Sequence, residues 1–272
     1  MSGRRMPTAL TIAGSDSGGG AGIQADLKTF SAFRVFGMSA VTGLTAQNTR
    51  GVRGVELPAP EFIAAQLRAV LEDIGVDAVK TGMLATGDII RTVAGVVREF
   101  ALRNLVVDPV MVAASGDALM QHEAAPVMRQ HLFPLATVVT PNLDEATFLC
   151  ERKIRTIEDM QEAARAIHAM GPRYVLIKGG HLPGERVVDL LFDGQEFMRR
   201  DGQRFPGEFH GTGCTLSSAI ASGLAKGLDV REAVATAQRY IALAIQTAPT
   251  LGGGRRPLNH FPEGFVPPEG RG

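Results

Sequence analysis

Residues 210–217 read His-Gly-Thr-Gly-Cys-Thr-Leu-Ser and hold the densest chemistry in the chain. Gly211 and Gly213 flank Thr212, and an Ala-rich apolar run over 216–228 follows. That run has helix composition, so the Gly-Thr-Gly falls at or just before a helix start. A helix start offers unpaired N–H groups and the positive end of the dipole, which together bind anions. Glycines let those N–H groups approach a phosphate with no Cβ in the way. Cys214 then stands in positive potential that lowers a thiol pKa, which predicts a thiolate or a proton-accepting thiol. The same residues also fit a plain glycine turn beside a buried cysteine.

Other candidates lie where strands end. Gly14-Ser15-Asp16-Ser17-Gly18-Gly19-Gly20-Ala21-Gly22 separates a short apolar strand (9–13) from a helix (23–33) with Ile23, Leu27 and Phe30 on one face. Strand, glycine loop and helix in that order suit a phosphate or other small ligand. The loop matches neither a dinucleotide fingerprint nor a Walker loop, so the ligand type stays open. Gln47-Asn48-Thr49 ends a strand over 39–46; its amides suit a ring with donors and acceptors, or a turn capped by Asn48. Asn142 and Glu145 sit three apart after a strand over 137–140. A carboxylate there suits Mg²⁺ with phosphate oxygens, but on spacing alone a capping box is the better account of the pair. Lys178, beside Gly179 and Gly180, can serve a phosphate as a point charge.

The elements that position these residues follow from periodicity. Strands at 9–13, 39–46, 76–81, 105–108, 137–140 and 174–177 alternate with helices at 23–33, 61–74, 88–102, 123–131 and 156–170. This alternation predicts an α/β domain with right-handed crossovers and a mostly parallel central sheet covered by helices on both faces. Asp193-Gly194-Gln195 joins two strands, 187–192 and 196–200, into an antiparallel hairpin at the sheet edge. Ligands of such folds sit outside the carboxyl ends of strands, so the polar candidates converge on one sheet edge. Residues 1–8 read as a disordered leader, 9–261 as one domain and 262–272 as a loose tail, with looseness beginning near Gly252. Lys+Arg 28 balances Asp+Glu 28, which argues against nucleic acid or a membrane surface as partner. No apolar run has membrane-spanning length, and two cysteines make no disulfide or metal pattern, which predicts a cytoplasmic setting.

Seven motifs in order carry a resemblance. They are residues 13–29, Thr45-Ala46-Gln47-Asn48-Thr49, Lys80-Thr81-Gly82-Met83-Leu84, Asp108-Pro109-Val110-Met111, Thr140-Pro141-Asn142-Leu143-Asp144-Glu145, Lys178-Gly179-Gly180-His181 and His210-Gly211-Thr212-Gly213-Cys214-Thr215. Together they closely resemble the hydroxymethylpyrimidine/phosphomethylpyrimidine kinases, thiamin-synthesis members of the ribokinase-like superfamily. The resemblance implies a three-layer ribokinase-like sandwich, ATP and Mg²⁺. It implies two phosphorylations, of 4-amino-5-hydroxymethyl-2-methylpyrimidine and then of its monophosphate. By position it puts the pyrimidine on Gly14, Asp26, Gln47, Met83 and Val110, with Asp26 and Gln47 reading the ring. It makes Gly211, Thr212 and Gly213 the anion hole, Cys214 the base, and Asn142, Lys178 and Thr212 nucleotide contacts, with Glu145 toward the metal. A homodimer is implied as well.

The chain departs from the family pattern at Ala114, which replaces a polar residue, and at Gly207-Glu208-Phe209 before the His210 motif. A pyridoxal or pyridoxine kinase of the same superfamily and a non-catalytic pyrimidine sensor are the competing readings. The sensor need not keep Gly211, Gly213, Cys214 and Glu145 together, and a sugar kinase would carry Asp rather than Cys214.

Overall fold

A computed structural model describes residues 5–113, 116–117, 119–180, 184 and 186–270. The first half comprises β1 (Thr8–Asp16), α1 (Gly22–Ala32), β2 (Phe36–Asn48), β3 (Gly51–Glu56), α2 (Pro60–Asp73), β4 (Ala78–Thr81), α3 (Gly87–Glu99) and β5 (Leu105–Val107). Then come α4 (Ala124–His131), β6 (Val138–Val139), α5 (Leu143–Cys150), α6 (Ile157–His168) and β7 (Tyr174–Ile177). The chain ends with β8 (Arg186–Phe192), β9 (Phe197–Gln203), β10 (Phe209–His210), α7 (Thr212–Ala225), α8 (Val230–Gln246) and β11 (Arg256–Pro257).

Nine strands form one sheet in the order β3-β2-β1-β4-β5-β6-β7-β8-β9. The strands from β2 to β7 in that order pair in parallel, while β3, β8 and β9 pair antiparallel at the two edges. Interior strands are buried on both faces, as apolar β1, β4, β5 and β7 require. Leu10 and Ile12 of β1 pack with Ile63 and Leu67 of α2 and with Ile90 and Val93 of α3. On the other face Ala9 joins Phe30 of α1, Ile220 of α7 and Tyr240 of α8. The expected three-layer sandwich is therefore present. Helix starts follow local chemistry: Asn142, Thr156 and Asp229 each form a capping box, with Glu145, Asp159 and Glu232.

Helix α7 is buried continuously from Thr215 to Leu224. Its small residues allow this; a Cβ on Gly223 would stand 2.9 Å from Ala233 Cβ of α8. The chain leaves β1 for β2 on one side and returns to β4 on the other, and a crevice opens at that reversal.

Three expectations need correction. The sheet has a second antiparallel edge: β3 turns back from Asn48, whose Oδ1 accepts from Arg50 N at 2.9 Å. Its residues are half-buried or exposed, so no apolar alternation marked it. The described part of the tail, through residue 270, is not loose. β11 pairs with β10, the Phe265 ring packs at a tilt against both Phe33 and Tyr240 with 4.9 and 4.7 Å between ring centroids, and Lys226 Nζ donates to Pro268 O at 2.7 Å. The leader ends earlier than residue 8, because Thr8 already opens β1; residues 1–4 lie outside the described residues.

Candidate active site

A cavity of about 1320 Å³ lies at the carboxyl ends of the parallel strands. β1 contributes Gly14, β4 leads to Met83, and β5 leads to Asp108 and Val110. Asn142 and Glu145 come from the start of α5, and Lys178 follows β7. Gly211, Thr212, Gly213 and Cys214 enter from the start of α7, and Gln47 from the end of β2. Thus every predicted site residue except Asp26 lines one cavity.

At one end Met83 closes on Gly14, where a Cβ would lie 3.1 Å from Met83 Cε. Thr42 Oγ1 donates to Met83 O at 2.6 Å and holds that loop. Gln47 and Val110 complete an apolar slot with one amide.

At the other end Lys178 Nζ donates to Asp108 Oδ1 at 2.9 Å and lies 3.9 Å from Glu145 Oε2. Thr140 Oγ1 donates to Asp108 Oδ1 at 3.0 Å. Burial would depress the Lys178 ammonium, but Asp108 and then Glu145 outweigh it and hold its pKa above the usual value. Glu145 does form the capping box with Asn142, accepting from Asn142 N at 2.7 Å. Burial, opposed by Lys178 and reinforced by Asp108, pushes its carboxyl up to about 7. The capping and functional readings of Glu145 are therefore compatible: one oxygen caps while the residue faces the cavity.

Gly211 is the N-cap of α7 in the left-handed region (φ 83°), and its Cα packs on Gly20 O with no room for a side chain. A Cβ on Gly213 would stand 3.2 Å from Lys178 Nζ and 3.4 Å from Asp108 Oδ2. The first N–H groups of α7 and Lys178 thus lie beside one volume, an arrangement that suits an anion.

Two predicted roles change. Asp26 does not reach the cavity. It has no exposed surface, and Lys80 Nζ (3.0 and 2.9 Å), Thr11 Oγ1 (2.6 Å) and Ser218 Oγ (2.6 Å) occupy its oxygens. Side chains of α1 point into the α1–α7 layer at this position, so a carboxylate there serves the interior. Cys214 is not a low-pKa thiol. Burial, opposed mainly by Lys80, pushes it up to about 11. The helix start does face it, but loss of water costs the thiolate more.

Sequence reasoning missed Asp108, Asp16 and His210 as site residues. His210 Nε2 lies 2.8 Å from Asp16 Oδ2, clasping one glycine loop to the other. Burial raises the Asp16 carboxyl, but His210 and the N–H groups of Gly18 and Ala21 together hold it below the usual range. The Gly207-Glu208-Phe209 departure is matched by the tail: Arg255 Nε meets Glu208 Oε2 at 2.9 Å and Arg256 covers the Phe209 ring. Ala114 and His181 lie outside the described residues.

For a divalent cation the donors are Asp108 and Glu145. Among the described residues no three His, Cys, Asp or Glu side chains converge. Two carboxylates beside a phosphate site fit Mg²⁺, which keeps waters and phosphate oxygens in its shell. No helix among the described residues is long and apolar enough to cross a membrane.

The sandwich and its anion site at the carboxyl edge define an enzyme of the ribokinase-like class, a kinase. The model of the family described as phosphomethylpyrimidine kinase matches residues 16–259, and the chain belongs to that family. It is 52% identical to a hydroxymethylpyrimidine/phosphomethylpyrimidine kinase of Rhizobium meliloti, covering 93% of this chain and 96% of that one. It is also 52% identical to a thiamine biosynthesis bifunctional protein of Geobacter sulfurreducens, covering 95% of this chain and 54% of that protein. The chain thus spans about half the length of this bifunctional relative. Among solved structures, Bacillus subtilis pyridoxal kinase in an ADP complex superposes with a TM-score of 0.87 at 44% identity, covering 94% of this chain and 98% of that one.

Proposed function

We propose that the protein phosphorylates 4-amino-5-hydroxymethyl-2-methylpyrimidine with ATP, and then phosphorylates the monophosphate to the diphosphate, in thiamin synthesis. The observation that carries this reading is the single cavity that joins an apolar slot with one amide (Gly14, Gln47, Met83, Val110) to an anion site (Gly211–Gly213, Lys178). Acceptor ring and transferring phosphate need that adjacency.

Glu145 and Asp108 would hold Mg²⁺, which would supply neutralising charge to the nucleotide phosphates. The residues of the chain do the rest. Met83 and Val110 pack the ring, and Gln47 hydrogen-bonds to it. Asn142, Thr212 and Lys178 lie on the nucleotide side, and the α7 N–H groups receive the charge that grows on the transferred phosphoryl group. Cys214 accepts the hydroxyl proton only as thiolate. At pH 8, three units below a pKa of about 11, about one thiol in a thousand is ionised. Positioning and charge stabilisation therefore carry most of the acceleration, as phosphoryl transfer allows. A cytosolic setting belongs to the same reading, supported by two unpaired cysteines, Cys150 and Cys214. So does a homodimer, for which Leu44 and Val55, exposed on the β2–β3 edge, offer apolar surface.

The test follows products over time with Mg-ATP, offering the pyrimidine and pyridoxal separately. Monophosphate followed by diphosphate from the pyrimidine, with little pyridoxal turnover, is the expected result. Fast pyridoxal phosphate formation with no pyrimidine diphosphate would overturn it in favour of a pyridoxal kinase, the activity named for the Bacillus relative. Ligand binding without ATP turnover would make the protein a sensor.

A further inference from the structure

The clasp between Asp16 and His210 has a third member. Gln47 Nε2 lies 3.3 Å from His210 Nε2, and Gln47 Oε1 lies 2.9 Å from Thr45 Oγ1. Hydrogen-bond accounting decides which way this amide turns. Asp16 is 2% exposed and accepts at Oδ1 from Gly18 N (2.8 Å) and at Oδ2 from Gly20 N (3.0 Å) and Ala21 N (2.9 Å). A carboxylate gathering three backbone donors is ionised and only accepts. His210 Nε2, 2.8 Å from Oδ2, therefore carries a proton in either charge state of the ring. An amide NH₂ facing that N–H would set donor against donor. Thr45 reaches the same answer independently. Its one hydroxyl proton faces Ser15 O at 3.0 Å, a pure acceptor, so its oxygen is left to receive a donor from Gln47. A half-turn of the amide satisfies both ends: Oε1 takes the longer, 3.3 Å branch of a three-centre bond from the one His210 Nε2–H, whose main branch goes to Asp16 at 2.8 Å, and Nε2 donates to Thr45. One N–H of Gln47 then remains for the cavity that this residue lines.

We infer that Asp16 and His210 are positioning residues for Gln47: they turn its amide so that the cavity meets an N–H donor, and the acceptor substrate must present a ring nitrogen lone pair there. The specificity half of this inference rests on the proposed pyrimidine kinase reading. The orientation half rests on the clasp alone. A substrate offering only an amino or hydroxyl proton at that point would meet a donor and be rejected, since an unpaired buried donor is costly. The specificity of Gln47 thus comes from two residues on different glycine loops.

Nitrogen-resolved NMR of the histidine rings in the full chain, with His210→Asn used to assign the signal, tests the orientation without substrate. The expected result is a protonated Nε2 at neutral pH; an unprotonated Nε2 would overturn the inference. Steady-state kinetics then tests specificity. Gln47→Glu replaces the donor by an acceptor while leaving an oxygen for His210. It is expected to raise the KM for hydroxymethylpyrimidine at least about tenfold, the cost of one mismatched buried hydrogen bond. A KM equal to the parent's would mean that Gln47 accepts rather than donates, and would sink the inference. In a His210→Phe background the amide is free to turn, so Gln47→Glu is expected to cost less there, whereas equal costs in both backgrounds would show that His210 does not orient Gln47. A parent protein with no pyrimidine turnover would remove the proposed substrate and leave the ring-proton result standing.

Discussion

Lys80 Nζ lies 3.0 and 2.9 Å from the two carboxylate oxygens of Asp26, and neither side chain has exposed surface. Thr11 and Ser218 complete the shell, tying β1, β4, α1 and α7 together below Cys214. Removing one partner strands a buried charge. Asp26→Ala is expected to destabilise the fold by about 3–5 kcal/mol, measured by urea unfolding. The pair Lys80→Met with Asp26→Leu is expected to recover much of that loss, because replacing both partners with apolar groups leaves no charge behind. A loss below about 1 kcal/mol for Asp26→Ala would mean that water reaches the cluster.

Cys214→Ala is expected to lower kcat substantially, by up to the ~10²–10⁴-fold typical of a positioned base, and to leave measurable turnover. Its pH profile carries the sharper information. Because burial pushes the thiol up to about 11, the thiolate fraction grows about tenfold per pH unit from 7 to near 10. The ratio of parent to variant rate should climb along that range. A flat ratio would assign Cys214 a packing role only.

Glu145 gives a stability prediction with a definite sign. Its carboxyl is raised from 4.5 to about 7, first by burial and then by Asp108 against the pull of Lys178. The folded state therefore favours the protonated form. Its contribution to stability is fully present below pH 4.5 and is lost as pH rises through about 7. Glu145→Gln keeps the shape and an oxygen for Asn142 N. It should be more stable than the parent at pH 8, with the gap narrowing as pH falls toward 5, and it should turn over more slowly. Thermal melts across pH decide this; a gap that widens on acidification would reverse the assignment.

The legible part of this protein lay in local signals. Periodicity placed the strand–helix alternation, because each element's apolar spacing is a property of its own residues. The Asp193-Gly194 turn marked the β8–β9 edge, and Asn142 with Glu145 marked a helix start, for the same reason. Motif order pointed to the family and so to Met83 and Val110, and the carboxyl-edge rule gathered Gly14, Gln47, Asn142, Glu145, Lys178 and residues 211–214; all of them line one cavity. β3 escaped notice because an exposed edge strand needs no apolar pattern.

What tertiary structure alone decided is where charge meets water. Asp26 and Asp16 look alike in sequence, two acids near a glycine loop. Asp26 faces the α1–α7 layer, where Lys80, 54 residues away, neutralises it. Asp16 faces the loop and meets His210, 194 residues away. Cys214 stands at a helix start, which by itself lowers a thiol pKa, yet it is desolvated by packing that no local spacing reveals. The tail that reads as loose by its glycines is held by β10 and by the Phe33–Tyr240 pair. Spacing along the chain sets which elements form, whereas desolvation and ion pairing depend on contacts between residues far apart in it, and these exist only once the sheet has closed.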